Sequence, residues 1–137
     1  MANNCIIKHL TFRLKPDQLL AEEIVAHTWN IQAGVLLSIV GALKNANLRM
    51  AGATPDDQRI VNFKGPFEIV SGTGTISKNY CHIHIAVSDK EGNVIGGHLK
   101  NGCRVDVTVE VVIGVLADTI FNRVLDKSTG FKELEVG

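Results

Sequence analysis

The sequence predicts a single α+β domain spanning 1–137, a largely antiparallel sheet of about seven or eight strands with one main helix near the N-terminus. Three observations carry that reading: one early stretch has a helical apolar period, the apolar segments after residue 59 are strand-length runs or alternations, and they end at Gly, Asp or Asn. A length of 137 residues suits one core, and 45% hydrophobic residues suffice to fill it.

Residues 6–14, IIKHLTFRL, are β-branched and apolar with polar residues interleaved, and Pro16 closes them as a first strand. Pro16 then opens a helix. Asp17 lies where the helix dipole favours a carboxylate, Leu20, Ile24, Thr28 and Ile31 recur every three or four residues, and Gly34 is the natural stop. Trp29, late in that periodic stretch, is expected to pack on the sheet. VLLSIVGAL (35–43) and NANLRMAG (45–52) read as a strand and a returning strand, joined by a hairpin turn around Lys44 and Asn45. ATPDDQR (53–59) has loop chemistry.

Beyond it RIVNF (59–63), PFEIVSGTGTIS (66–77), YCHIHIAVS (80–88), NVIGGHL (93–99), CRVDVTVEVVIGVLA (103–117) and DTIFNRVLD (118–126) read as strands. Ser71–Thr75 carries glycines but continues into Ile76 with no helix N-terminus to receive phosphate, so it is a bend or bulge in a strand. Arg104, Asp106, Thr108 and Glu110 alternate with Val105, Val107, Val109 and Val111, the pattern of a half-buried strand. Its polar face is either solvated or a subunit contact.

Fourteen basic residues balance fourteen acidic ones, so the chain lacks the clustered positive charge from which phosphate-backbone binding draws its affinity. The odd cysteine count, Cys5, Cys81 and Cys103 without a C-x-x-C pair, suits reduced thiols and an intracellular, cytoplasmic setting. No apolar run approaches the roughly 18 residues of a membrane span. No leader pattern is read at the N-terminus, so the whole chain is expected to be the mature protein.

The histidines at His82, His84 and His98 are the most informative feature. Side chains two apart on a strand share a face, so His82 and His84 point the same way. Between the two strands, Asp89–Asn93 suits a three-residue loop of Lys90, Glu91 and Gly92, a type I turn closed by a left-handed glycine. That loop sets His84 opposite His98 and brings the three imidazoles together; a two-residue loop would turn His98 to the other face. An H-x-H pair alone is more often a hydrogen-bonded or solvated strand surface, and the third histidine in register brings metal ligation level with that reading. Gly96 and Gly97 leave room for a ligand or another backbone, or mark a bulge. Three imidazoles suit divalent zinc, copper, nickel or iron and leave one coordination position open. Glu68, Asp89, Asp106 and Glu110 are the nearby carboxylates by sequence, with no spacing that places them beside the histidines. His9 and His27 have no partner in register and take ordinary roles. No nucleophile elbow, H-E-x-x-H, Walker or dinucleotide motif is present, so no substrate class or enzyme class is indicated.

GPFEIVSGTGTIS, CHIHIAVSDKEGNVIGGHLKNGCRVDVTVEVVIGVL and FNRVLDKSTGFKELEV together resemble the PPC domain, the plants and prokaryotes conserved domain. The resemblance implies an α/β unit on an antiparallel sheet, a stand-alone homotrimer, and a divalent metal, usually zinc, on His82, His84 and His98. Plant members recruit partners through G-R-F-E-I-L, which maps onto Gly65, Phe67, Glu68 and Ile69 with Pro66 in the arginine's place. They follow DNA-binding AT-hooks, and no R-G-R-P hook occurs in this chain. Two functions are therefore expected. One is a metal-binding homotrimer with a small-molecule ligand; the other is a regulatory or protein-association module without strong DNA affinity of its own.

Overall fold

The computed structural model describes residues 8–137; Cys5 and the first two residues of the expected opening strand lie outside them. β1 (Lys8–Leu14) follows the expected span. The chain then delays its helix: Asp17 takes a left-handed conformation (φ 70°), Leu19 bridges to Arg104, and α1 covers only Leu20–His27. The amide of Asp17, before the helix, donates to the Val105 carbonyl, and that of Leu20 to the Cys103 carbonyl, which does the work of a capping side chain. Leu20, Ala21 and Ile24 face the core.

The helix stops well short of the expected Gly34. Thr28 donates both its amide and its hydroxyl to the Ile24 carbonyl, which satisfies the last turn, and Gly34 is taken into the sheet as part of β2 (Ala33–Arg49). Trp29 is consequently 55% exposed instead of packed on the sheet.

No hairpin forms at Lys44 and Asn45, because β2 runs straight through them. The Lys44 amide donates to the Arg104 carbonyl, and the Asn45 side chain bonds Gly102 O and the Arg104 amide, so this polar pair is held by a neighbouring segment and becomes a bulge. β3 (Ile60–Ser77) likewise merges the two segments expected at 59–63 and 66–77. Pro66 falls between the paired residues Lys64 and Phe67, where the ladder asks no N–H of it. A second irregularity lies between Ile69 and Ser71, just before the stretch expected to bend; Ser71–Thr75 itself pairs in unbroken register with the following strand.

β4 (Tyr80–Ser88), β5 (Val94–Leu99) and β6 (Val105–Val115) complete a six-stranded antiparallel sheet in the order β1-β6-β2-β3-β4-β5. The far end of β2 also pairs with β5, Leu48 with Leu99 and Arg49 with His98, so β2, β3, β4 and β5 close on themselves at that end. Leu14, Leu20, Ile24, Leu43, Ile83, Val109 and Ile113 are fully buried inside this curl, each contributing roughly 1.5–3 kcal/mol by burial. The valine alternation in β6 breaks once. Gly41 pairs with Val109 and Ala42 with Asp106, leaving Val107 in a bulge at φ 59° with 64% exposure.

β7 (Phe121–Leu125), shorter than the expected 118–126, forms a separate two-stranded sheet with β8 (Lys132–Val136). In KELEV, Leu134 and Val136 alternate with Glu133 and Glu135, but the segment is short, charged and largely exposed, so β8 carries only a weak strand signal. Among the described residues, no helix is long and apolar enough to cross a membrane.

Candidate metal centre

The site begins with a turn. Asp89 Oδ1 accepts the amides of Glu91 and Asn93, the Asp89 amide donates to Asn93 O, and Gly92 adopts φ 85°. The amide of Asn93 is the main influence holding the Asp89 carboxyl below the usual range. This is the three-residue loop, and it sets Ser88 against Val94 and His84 against His98. On β4, Cys81, Ile83 and Ile85 point into the core, so His82 and His84 share the outer face. The imidazole centroids of the three histidines lie 4.8–5.3 Å apart. One ligand nitrogen of each falls within 4.8 Å of the others, and the two Nε2 atoms of His82 and His84 are 3.3 Å apart. At that separation the two rings can share a hydrogen bond, and the same spacing leaves room for a metal between them.

Burial, then the Arg123 and His84 charges, lower the pKa of His82. Burial first, then Arg49, pushes His98 down to about 3. Both rings are therefore neutral near pH 7, the form that ligates. Arg49 donates from Nη2 to His98 Nδ1 at 3.0 Å. Arginine cannot accept, so the proton of the neutral His98 ring sits on Nε2. His98 can offer a lone pair to a metal only once Arg49 leaves Nδ1, which either exposes that nitrogen or lets the proton move onto it. The donor set fits a divalent metal, with Arg49 the residue that has to yield.

Cys81 faces away from the histidines as expected, and burial pushes its thiol up to about 11. The candidate carboxylates do not join the site. Glu68 pairs with Ser88, five to seven residues along β3 from the partners of His84 and His82, or about 16–23 Å. Asp89 is spent in the turn; it shares a separate cavity of about 180 Å³ with Glu68 and Asp106. Glu110 sits across from Arg13 and Val40 in the ladder. Two other carboxylates share cavities with the histidines: Glu22 of α1 with His98, and Glu133 of β8 with His82, His98, Arg49 and Arg123. Nothing in the local sequence marks those last residues, because β2–β5 closure and hairpin docking bring them there.

In the segment Gly65, Phe67, Glu68 and Ile69, expected to meet a partner, Phe67 and Ile69 are buried in the core. Gly65 is a packing glycine, since a Cβ there would meet the Lys44 carbonyl at 2.6 Å. Strand alternation leaves Glu68 as the member with an exposed side chain. His27 stacks on Phe12 and donates to the Glu23 carbonyl, and His9 lies beside Thr11, both outside the cluster.

The low pKa of His98 carries a prediction for the metal-free protein. The folded state binds fewer protons than the unfolded chain between about pH 3 and the ordinary histidine value of 6.5. Stability from this group is thus present above 6.5 and lost as pH falls through that window. Urea midpoints measured at pH 7.5, 5.5 and 4.5 should fall with pH, and fall less in His98→Gln; equal slopes would remove His98 as the cause.

A family model described as the Plants and Prokaryotes Conserved (PCC) domain matches residues 2–117. The bifunctional protein GlmU of Synechococcus sp. (strain JA-3-3Ab) is 36% identical over 129 residues, 90% of this chain. The chain spans 20% of that relative's length, and the same share of a second Synechococcus GlmU that is 35% identical. A solved Salmonella enterica protein is 31% identical, with a TM-score of 0.89 over 98% of this chain and 96% of its own. A metal-containing protein from Archaeoglobus fulgidus is 27% identical, with a TM-score of 0.78 over 98% and 99% of the two chains. With a match over most of its length and a fold shared end to end with these structures, the chain belongs to the Plants and Prokaryotes Conserved domain family.

Proposed function

We propose that the protein is a cytoplasmic homotrimer that holds a divalent metal, zinc, on His82, His84 and His98 and presents it to a small-molecule ligand. The observation that carries this is the convergence of three imidazoles from two strands whose register is locked by one turn. The metal-containing Archaeoglobus relative supports it. Imidazole suits zinc, and three protein ligands leave room for a fourth donor. A bound metal supplies Lewis-acid polarisation of a ligand oxygen. The chain's own residues set the conditions: burial keeps His98 unprotonated, Arg49 fixes its tautomer, and the β7–β8 hairpin narrows access to the rings. Trimer formation is supported by exposed apolar side chains. Leu37, Val40, Val70 and Val107 are each at least half exposed, and Val40 and Val70 flank the paired Gly41 and Ile69.

That apolar surface also favours the second reading, an association or regulatory module in which the metal pins the hairpin. Elemental analysis of untagged protein purified without added metal tests the first reading. About one equivalent per chain is expected, lost on replacing all three histidines by alanine. No metal after incubation with zinc would leave the association module. Sedimentation equilibrium should return three times the 14.8 kDa chain mass, and a monomer would remove the trimer.

A further inference from the structure

Between the sheet and the β7–β8 hairpin, beside His82 and His98, opens a cavity of about 390 Å³. Its charged lining is Arg49, Lys78, Arg123 and Lys132 against Glu133, a local excess of positive charge in a chain of zero net charge. Glu133 already accepts from the Thr129 hydroxyl. The two guanidinium groups are half-buried and their hydrogen-bond partners are neutral: Arg49 donates to Gln58 Oε1 and His98 Nδ1, Arg123 to the Thr75 hydroxyl. Nε of Arg123 is sealed from solvent with no partner at all. The ion pairs among the described residues, His27–Glu23 and Lys44–Asp17, lie elsewhere. Arg49 also stacks on Phe131 and Arg123 on Tyr80, contacts that seat the hairpin but bring no counter-charge. Two half-buried cations with no acidic partner and one sealed, orphaned donor are unfavourable unless something supplies the missing negative charge.

We propose that this cavity binds the oxyanion end of a small molecule, a carboxylate or a phosphoryl group, between Arg49 and Arg123. The fork of a guanidinium matches both groups, and the volume suits a small metabolite. The inference deepens the metal reading by naming the ligand's class, yet both guanidinium groups line the cavity in the metal-free protein, so anion binding can be tested without a metal. The two are coupled through Arg49. An oxyanion that draws Arg49 off His98 Nδ1 frees that nitrogen, so oxyanion and metal strengthen each other's binding.

Calorimetric titration of chelator-treated protein at constant ionic strength tests the site, with inorganic phosphate and succinate in separate arms. At least one is expected to saturate at one per chain, and the arm that binds identifies the group. Arg49→Gln and Arg123→Gln should each weaken it about tenfold or more, the loss of a charge-assisted bond. Lys132→Gln, an exposed rim change, should weaken it about two- to threefold with no shift in melting temperature. Because the arginine variants also loosen the hairpin, the rim variant and a Lys78→Gln, Lys132→Gln double variant carry the test if those do not fold. Neither anion binding better than chloride, or unchanged affinity in the folded variants, overturns the proposal. Anion binding in a protein that takes up no metal would support it while removing the metal reading alone.

Discussion

Replacing His84 by alanine should weaken metal binding by about a hundredfold or more, since even removing a group that only hydrogen-bonds to a metal ligand costs about 10–100-fold. The unfolding of the metal-free protein should barely move, because exposed substitutions stay within about 0.5 kcal/mol. The split follows from where the three rings sit. His84 is exposed, and its strand is held by the β3 and β5 ladders and by the Asp89 turn, none of which uses the imidazole. His98 is a poorer probe: it is only 6% exposed and accepts from Arg49, so its loss strands a buried donor at about 1–3 kcal/mol. Competition against a chromophoric chelator reads the affinity, and thermal melts with and without chelator read the fold. Chelated wild type and His84→Ala both melting far below the metal-loaded protein would mean the metal is a structural pin. Unaltered affinity would sink the three-histidine site altogether.

The site was more legible than the fold around it, for a physical reason. The meeting of His82, His84 and His98 depends on a two-residue period and one turn whose Gly92 and Asp89 chemistry is written locally. The errors lie where distant segments decide. Lys44 and Asn45 have turn-like composition, but Gly102 and Arg104 supply their hydrogen bonds, and the chain bulges instead of reversing. The helix period runs on to Ile31 in sequence, yet Thr28 caps it early and the sheet takes Gly34. Val107 sits in perfect alternation and still faces outward, because the β2–β6 register slips there. Arg49, Arg123 and Glu133 reach the histidines only through β2–β5 pairing and hairpin docking, so no local pattern announces them.

Gly74→Ala should be the most damaging single methyl group in the chain's functional half. A Cβ there would lie 2.1 Å from the His82 carbonyl oxygen and 2.8 Å from Ile83 Cα. Both are backbone atoms, so no side chain can swing aside and β3 must part from β4. Overpacking of that kind costs about 3 kcal/mol, or about 10 °C in melting temperature for a domain of this size. The displaced peptide belongs to His82 itself, so metal affinity should fall together with stability. Gly92→Ala is the matched contrast. Its Cβ would meet nothing within 4 Å, and only the left-handed backbone at φ 85° resists it, at a cost of about 1–2 kcal/mol. Since the Asp89 bonds that set the register remain, metal affinity should persist in that variant. Melting curves and chelator competition on the two proteins side by side separate loss of stability from loss of the site. A Gly74→Ala protein that binds metal like wild type would show that β4 can shift at His82 without moving its ring, and that the ligand geometry does not depend on close contact between β3 and β4.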